Sequence, residues 1–386
     1  MRKICVVTGT RADYGLLYWT IKRLSNDKDF SLLLLVTGMH LSPEFGLTYK
    51  VIEKDSFHIN RKIEVLLSSD TPASISKSMG LGMIGFADAF TELQPDLILL
   101  LGDRFEIFSA AAAALICRIP VAHCHGGETT EGATDESLRH SITKMSHLHF
   151  TSTEAYKQRV IQLGERPDTV FNVGALGIEN INKLCLLDKQ NLEKEIAFTL
   201  GEKNLLVTFH PVTLEFATAE FQFASLLKAL KELTNTKIIF TKANADTEGR
   251  IINKMIDEFV AENSDRAIGF TSLGQLRYLS LLSVVDAVVG NSSSGIIEAP
   301  AFKKPTVNIG DRQLGRIRAK TVIDCTADYN SIKEALNTAL STSFNDQIKD
   351  VENPYGTGNA SDKIINVLKE VDLTKLLKKR FYDLQP

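Results

Sequence analysis

Short apolar runs, each closed by glycine, threonine or a polar turn, recur along this 386-residue chain and alternate with longer segments of helical periodicity. Continuous apolar runs are typical of strands that are buried on both faces, and strand–helix alternation predicts a parallel, doubly wound sheet. In the first half the predicted strands are Ile4–Thr8, Leu32–Thr37, Leu97–Leu101, Val121–His123 and Leu148–Thr151. The predicted helices between them are Leu16–Leu24, Thr71–Leu93, Glu106–Cys117, Asp135–Met145 and Glu154–Leu163.

The second half repeats this alternation after a charged break. Its predicted strands are Leu205–Phe209, Lys237–Thr241, Ala267–Phe270, Ala287–Gly290, Thr306–Ile309 and Val322–Cys325. A single hydrophobic core rarely serves more than about 250–300 residues. We therefore predict an α/β protein of two Rossmann-like doubly wound domains, residues 1–180 and 181–360. Residues 361–386 carry a closing helix, Asp362–Leu376, that is expected to pack back on the first domain.

Composition excludes several classes of partner. The formal net charge is -3, so no basic face for nucleic acid or a membrane surface is expected. The five cysteines are scattered and include no C-x-x-C pair, which favours a reducing compartment. The apolar run Ile107–Cys117 is too short to span a bilayer, and the first residues run directly into a strand. We expect a cytoplasmic protein.

Polar turns follow the strands of the first half, where ligands of such sheets bind. The stretch GTRADYG, from Gly9, joins a strand to a helix; its backbone N–H groups favour an anion, and Arg11 adds a cation suited to phosphate. An ordinary tight turn is the competing interpretation. Asp103 and Arg104 follow the strand Leu97–Leu101, where helix capping explains the aspartate but not the arginine beside it.

The stretch HGGE after Val121–His123 contains two candidate acid–base groups, His125 and Glu128. Asp135 and Arg139 lie four apart on a predicted helix and share a face, although a surface ion pair would look the same. His123 and His125 lack a third and fourth ligand, so no metal site is predicted.

In the second half, Pro211 ends a strand directly after His210 and places this histidine at the edge of the sheet. The serines of GNSSSG could form a phosphate cradle, and Glu298 could accept two ribose hydroxyls. Glycine, arginine and polar residues follow several of the predicted strands in both halves. This pattern predicts an anionic ligand in a cleft between the two domains.

These stretches together resemble the hydrolysing branch of the UDP-N-acetylglucosamine 2-epimerase family, which serves synthesis of sialic acid and related sugars. In family order they are GTRADYG from Gly9, VTGMHLSPEFG from Val36, GDR from Gly102, HGGE from His125, DESLRHSITKMSH from Asp135, FHP from Phe209, ANAD from Ala243, GNSSSGIIE from Gly290 and GDRQLGR from Gly310. The resemblance implies two Rossmann-like domains as in GT-B glycosyltransferases, and no dissociable cofactor.

The resemblance also implies residue roles. The positions that would hold UDP are Gly9, Arg11, Asp13, His210, Asn244, Ser292, Ser293, Glu298 and Arg312. The positions that would act on the sugar are Asp103, His125, Glu128, Asp135, Arg139 and His210. The family commonly has a catalytic glutamate where this chain has His125, so either His125 or Glu128 takes that role. Arg139 would orient Asp135.

The expected reaction converts UDP-N-acetylglucosamine and water to N-acetylmannosamine and UDP. The close alternative substrate is UDP-N,N'-diacetylbacillosamine, on the route to legionaminic acid. A GT-B glycosyltransferase, a non-hydrolysing epimerase and a non-catalytic nucleotide-sugar sensor are further alternatives. A homodimer or homotetramer is expected, because helices of the first domain carry apolar residues that could be exposed.

Overall fold

The computed structural model describes residues 1–69, 71–130, 134–212, 218–243 and 249–384. The chain forms two compact units. Unit 1 is Met1–Glu128, Asp135–Asn182 and Tyr355–Pro386, and unit 2 is Thr129–Thr134 and Lys183–Pro354. The units thus differ from the predicted ranges at three places, the most notable being a short segment after Glu128 that groups with unit 2.

Unit 1 is built on a sheet of seven parallel strands, in the order β3-β2-β1-β4-β5-β6-β7. The strands are β1 Arg2–Thr8, β2 Phe30–Thr37, β3 Arg61–Ile63, β4 Leu97–Leu101, β5 Val121–Cys124, β6 Leu148–Thr151 and β7 Val170–Asn172. The central strands β4 and β5 are buried along their whole length, which is why they appear in the sequence as uninterrupted apolar runs.

Helices connect the parallel strands of unit 1. They are α1 Arg11–Asn26, α2 Tyr49–Lys54, α3 Pro72–Leu93, α4 Phe105–Ile116, α5 Asp135–Met145, α6 Glu154–Gln162 and α7 Leu176–Lys183, at whose end the chain enters unit 2.

Unit 2 has a six-stranded parallel sheet, in the order β10-β9-β8-β11-β12-β13. The strands are β8 Lys203–Thr208, β9 Thr236–Thr241, β10 Ala267–Phe270, β11 Ala287–Gly290, β12 Thr306–Ile309 and β13 Val322–Cys325. The helices are α8 Lys189–Ile196, α9 Ala219–Lys231, α10 Gly249–Glu262, α11 Gly274–Val284, α12 Ser293–Ile297, α13 Tyr329–Ala339 and α14 Thr342–Gln347. The doubly wound α/β class predicted for both halves is confirmed.

The closing helix, α15 Ala360–Glu370, packs on α1 in unit 1. It ends at Glu370, six residues before the predicted end at Leu376, so the predicted length was wrong. The carboxylate of Asp372 accepts the backbone N–H of Thr374 at 3.1 Å and starts a separate 3-10 turn. Such local side-chain bonds compete with helix propagation. The apolar periodicity continues because Leu373 and Leu376 still pack on the core.

Gly290 ends β11 with φ 129, a conformation that residues with a side chain rarely adopt. A Cβ built there would lie 1.8 Å from the backbone oxygen of Thr208, at the end of the neighbouring strand β8. The absence of a side chain therefore allows the ends of β8 and β11 to meet closely.

We expect Gly290→Ala to destabilise the protein by about 3 kcal/mol or more, because both the dihedral angle and the backbone contact must change. The measurement is the thermal midpoint by scanning calorimetry. The matched control is Gly80→Ala in α3, where a Cβ meets nothing within 4 Å. This control should stabilise by about 1 kcal/mol through helix propensity. An unchanged midpoint for Gly290→Ala would contradict the close approach.

Candidate functional site

Asp103 and Arg139 are brought together at the carboxyl edge of the unit 1 sheet. Asp103 follows β4, and its Oδ2 pairs with Nη2 of the buried Arg139 on α5. Arg139 Nη1 also lies 3.4 Å from Oε2 of Glu136. Arg104, which is the residue at the N-cap of α4, makes no side-chain capping bond. Asp103 therefore serves as partner of a buried guanidinium, which needs such an anion to be stable.

His123 connects the two segments that carry this ion pair. Its Nε2 lies 2.7 Å from the carbonyl oxygen of Gly102, and its Nδ1 lies 3.1 Å from Oγ1 of Thr143 on α5. Burial lowers the pKa of His123 to about 3, so the ring is neutral near pH 7. Because a carbonyl only accepts, Nε2 carries the proton and Nδ1 accepts from the threonine. Both nitrogens are thus engaged in positioning the Asp103 turn against α5.

Glu128 is the most deeply buried carboxylate of the predicted catalytic set, with 1% of its surface exposed. Its Oε1 accepts from the hydroxyl of Ser152 at 2.7 Å and lies 3.0 Å from Nδ1 of His125. On the other side of the ring, Nε2 of His125 accepts the backbone N–H of Leu176 at 3.3 Å. That bond places the proton on Nδ1, which donates to Glu128.

His125 therefore has both nitrogens occupied in the ground state. It also adopts φ 65, a left-handed conformation that is uncommon for residues with a side chain and concentrates at functional sites. The geometry favours Glu128 as the group that exchanges a proton with a ligand, and His125 as the residue that orients it.

Asp135 is the first residue of α5 and is half-buried. Arg139, one turn later, contacts Asp103 and Glu136 as described above. That Arg139 orients Asp135 stays a prediction. Glu136 in turn lies 2.9 Å from Nε2 of His140, so the N-terminal part of α5 carries a chain of polar contacts.

The turn after β1 is shaped by a residue that sequence reasoning missed. Glu106 has 1% of its surface exposed, and its Oε1 accepts from Nε of Arg104 at 2.8 Å. A Cβ on Gly9 would lie 2.4 Å from the same oxygen, so only glycine fits there. Glu106 is one of many charged residues at helix starts, and its burial could not be inferred from its position in the chain.

Asp13 forms a capping box with Thr10 at the start of α1. Its carboxylate accepts the Thr10 N–H at 3.1 Å, and its own N–H donates to the Thr10 hydroxyl at 3.2 Å. Burial raises the pKa of Asp13 to about 6; Glu106 adds to this and Arg104 opposes it. Asp13 thus stabilises the first turn of α1. Nucleotide contacts of Gly9, Arg11 and Asp13 stay predictions.

In unit 2, Asn291 ties together three neighbouring strand ends. Its side chain accepts the N–H of His210 at 2.7 Å and donates to the carbonyl oxygen of the same residue at 2.8 Å. Its backbone oxygen accepts from Nη1 of Arg312 at 3.2 Å and from Nε2 of Gln313 at 2.9 Å. The polar residues that follow β8, β11 and β12 are therefore one cluster. Asn291 and Gln313 were missed, although both lie in the quoted motifs.

The serine run begins α12. The hydroxyl of Ser292 accepts the N–H of Ser294 as the N-cap. The hydroxyl of Ser294 donates to Oε2 of Glu298, and the hydroxyl of Tyr278 donates to Ser294 at 2.7 Å. Burial, aided by the charge of Glu298, raises the pKa of Tyr278 well above its usual value. Tyr278 was missed because it lies in α11, outside any strand-end motif. Asn244 lies outside the described residues.

Three further features concern metal ligands, membrane-spanning helices and cysteines. Among the described residues, no three histidine, cysteine or acidic side chains are grouped as metal ligands. In the same part of the chain, no helix has the length and apolar character that a bilayer crossing requires. All five cysteine thiols are free.

Two parallel α/β units with polar clusters at their strand ends define a Rossmann-like protein, a class in which ligands bind at the carboxyl edge of the sheets. Comparison with known proteins identifies the class more closely. The family model described as UDP-N-acetylglucosamine 2-epimerase matches residues 22–369. The chain belongs to this family.

Individual relatives match over almost the full length. A Campylobacter jejuni protein named GDP/UDP-N,N'-diacetylbacillosamine 2-epimerase (hydrolyzing) is 47% identical, covering 99% of both chains. A Legionella pneumophila protein named UDP-N,N'-diacetylbacillosamine 2-epimerase (hydrolyzing) is 40% identical, covering 97% of both. The crystal structure of a Neisseria meningitidis UDP-GlcNAc 2-epimerase bound to UDP-GlcNAc has a TM-score of 0.80 at 20% identity, covering 96% of this chain and 100% of that one. This likeness supports the fold.

We expect His125→Asn to retain activity within about tenfold and His125→Leu to lose about a hundredfold or more, since an asparagine amide can still donate to Glu128 and tolerates the left-handed conformation. Steady-state kcat of both variants, with circular dichroism to verify folding, is the measurement. An equal loss in both variants would assign His125 to proton transfer instead. Glu128→Gln is the matching control and should be inactive by either account.

Proposed function

We propose that this protein is a hydrolysing 2-epimerase, which converts a UDP-linked 2-acetamido sugar and water to UDP and the free sugar with inverted configuration at C2. The observation that carries the proposal is the 47% identity, over 99% of both chains, to a relative with this named activity. The buried carboxylates of unit 1 support it, since catalysis of this kind needs positioned proton acceptors.

The proposed chemistry begins with elimination, because H2 of the sugar has no neighbouring carbonyl to acidify it. The C1–O bond to the diphosphate breaks, C1 gains oxocarbenium character, and a carboxylate removes the proton from C2. The products of this step are UDP and a 2-acetamidoglycal. Water then adds its oxygen to C1 while a proton is delivered to C2 from the opposite face. Positive and dipolar groups would stabilise the leaving diphosphate.

We assign UDP to Gly9, Arg11, Asp13, His210, Asn244, Ser292, Ser293, Glu298 and Arg312. The residues of this set that lie in unit 2 have side chains suited to binding phosphate and ribose. Arg312 supplies a forked cation for phosphate, and the carboxylate of Glu298 can accept ribose hydroxyls. The Ser294 hydroxyl, which itself accepts from Tyr278, donates to Glu298 and holds its carboxylate in place. The backbone of His210, held by Asn291, sets the position of the imidazole.

We assign proton transfer to Asp103, Glu128 and Asp135. Glu128 accepts hydrogen bonds from His125 and Ser152 at one oxygen, Oε1. Asp103 is held by Arg139, which cannot release a proton at physiological pH and therefore acts through charge and position. Glu128 is buried, Asp103 is paired with Arg139 and Asp135 begins α5, so the three carboxylates can play separate parts in proton removal, proton return and activation of water.

The proposed substrate is UDP-N,N'-diacetylbacillosamine, which both relatives above carry in their names. UDP-N-acetylglucosamine is the second candidate, favoured by the description of the family. The two sugars share the 2-acetamido group and the UDP leaving group, so one mechanism serves both.

Incubation with each UDP-sugar in D2O, followed by proton NMR, tests the function. We expect free 2-epimerised sugar and UDP, with deuterium at C2, from UDP-N,N'-diacetylbacillosamine in preference to UDP-N-acetylglucosamine. Asp103→Asn and Asp135→Asn should each lower kcat by about 10²–10⁴-fold, since each removes a proton-transfer group. Product that still carries UDP would indicate a non-hydrolysing epimerase, and a requirement for an acceptor other than water would indicate a glycosyltransferase.

We further propose that the protein is a homodimer or homotetramer through α3 and α4. These helices pack together and expose several large apolar residues, among them Ile84 at 65% and Ile116 at 76%. Leu81, Met83 and Leu115 on the same helices are also exposed. Contiguous exposed apolar surface marks interaction sites, and a second copy of the chain is the partner we infer.

Light scattering coupled to gel filtration tests this assembly. We expect the wild type at a multiple of 42.7 kDa and the double variant Ile84→Lys, Ile116→Lys at 42.7 kDa. Both residues are exposed, so the charges should not disturb the core. Phe221→Lys is the control, because Phe221 is 73% exposed but lies on α9 of unit 2. Dissociation by Phe221→Lys, or none by the double variant, would place the interface elsewhere.

A further inference from the structure

Arg316 is a buried arginine in the motif GDRQLGR to which the proposed function assigns no role. Its Nε donates to the backbone oxygen of Thr129 at 2.9 Å. Thr129 directly follows Glu128, the carboxylate held by His125 and Ser152. A residue at the far end of the nucleotide-side motif therefore holds the peptide next to a proposed proton-transfer group.

The segment that Arg316 contacts has an unusual place in the chain. Thr129–Thr134 groups with unit 2, whereas the residues on either side of it, Glu128 and Asp135, belong to unit 1. Thr129 and Thr130 are both buried. Thr129 thus directly follows one proposed catalytic carboxylate, and its backbone oxygen is held by a residue of unit 2.

The motif that carries Arg316 is internally cross-linked. Arg318 donates from Nη2 to the carbonyl oxygen of Gln313 and from Nη1 to that of Arg316, both at 3.2 Å. Gln313 donates to the backbone oxygen of Asn291, as does Arg312, which we assign to UDP. A displacement of Arg312 or Gln313 by a bound nucleotide is therefore transmitted to Arg316 through short, directional contacts rather than through a flexible linker.

We propose that Arg316 is a positioning residue that links the nucleotide-binding residues proposed for unit 2 to the alignment of Glu128. This inference rests on the proposed function. The guanidinium carries no transferable proton at physiological pH, so its effect comes from holding the Thr129 carbonyl. Loss of a positioning contact that shifts a catalytic group by about 1 Å can cost about a hundredfold in rate.

Steady-state kinetics can distinguish a loss of positioning from a loss of ligand binding and from misfolding. For Arg316→Ala we expect kcat to fall by about tenfold to a hundredfold, with KM and the Kd of UDP within about twofold of wild type. Arg316→Lys, which keeps a donor for the carbonyl, should recover most of the lost kcat. The control is Arg266→Ala, because Arg266 also lies in unit 2 and donates to a backbone oxygen, that of Leu233 at 2.7 Å, away from the site. This control should keep wild-type kcat.

Three kinetic outcomes would each overturn the inference: wild-type kcat in Arg316→Ala, a parallel loss of kcat and UDP affinity, or an equal loss of kcat in Arg266→Ala. Amide hydrogen exchange with UDP alone tests the same link without a sugar substrate. UDP should slow exchange in peptides that cover residues 127–135 in wild type and in Arg266→Ala, but not in Arg316→Ala. If wild type binds UDP and shows this difference without turning over either sugar, the proposed function fails, whereas the link from the nucleotide-binding residues to Thr129 is supported. If UDP leaves these peptides unchanged in wild type, the inference fails.

Discussion

The side chain of Asn291 holds the candidate site of unit 2 together. Parallel strands end with backbone groups that have no partner along the sheet, and buried groups of this kind must be satisfied. The Asn291 amide meets that requirement for both backbone groups of His210 after β8, and the side chains of Arg312 and Gln313 after β12 meet it for the backbone oxygen of Asn291. Residues far apart in the chain thereby become one polar surface, and Gly290 allows the close approach on which this depends.

In unit 1, a histidine provides the hydrogen-bond partner for a backbone group at a strand end. The neutral ring of His123 joins the carbonyl oxygen of Gly102 to the hydroxyl of Thr143, and so holds the Asp103 turn against α5. Two residues further along the chain, His125 contacts Glu128 through Nδ1. Its Nε2 accepts the N–H of Leu176, which fixes the orientation of the ring. The two histidines that could suggest a metal site are therefore occupied by protein partners, and their common effect is to place carboxylates.

Much of the fold was predictable because buried parallel strands appear in the sequence as short, continuous apolar runs. The prediction found β1, β2, β4, β5 and β6 in unit 1 with boundaries close to those observed, and every strand of unit 2. It missed β3 and β7, which have three residues each and lie at the sheet edges, where burial on both faces is lost. It also missed α8, whose charged sequence has only two buried apolar residues, Leu192 and Ile196.

The turns that carry the candidate site were predictable, but their contacts were not. The rule that ligands bind beyond the carboxyl ends of strands directs attention to these turns, so Asp103, Glu128, His210 and Arg312 could be proposed from the chain. Glu106, Tyr278 and Arg316 could not, since each acts through a partner that only folding brings near, namely Gly9, Ser294 and Thr129.

By itself, the sequence determined the α/β class, the two sheets and the polar turns at the strand ends, because strand burial and turn chemistry are local properties of consecutive residues. Only the tertiary structure decided how His125 and Glu128 are held. The partners that give the imidazole its tautomer and the carboxylate its orientation, Leu176 and Ser152, are far along the chain and meet them only when the strand ends of unit 1 come together.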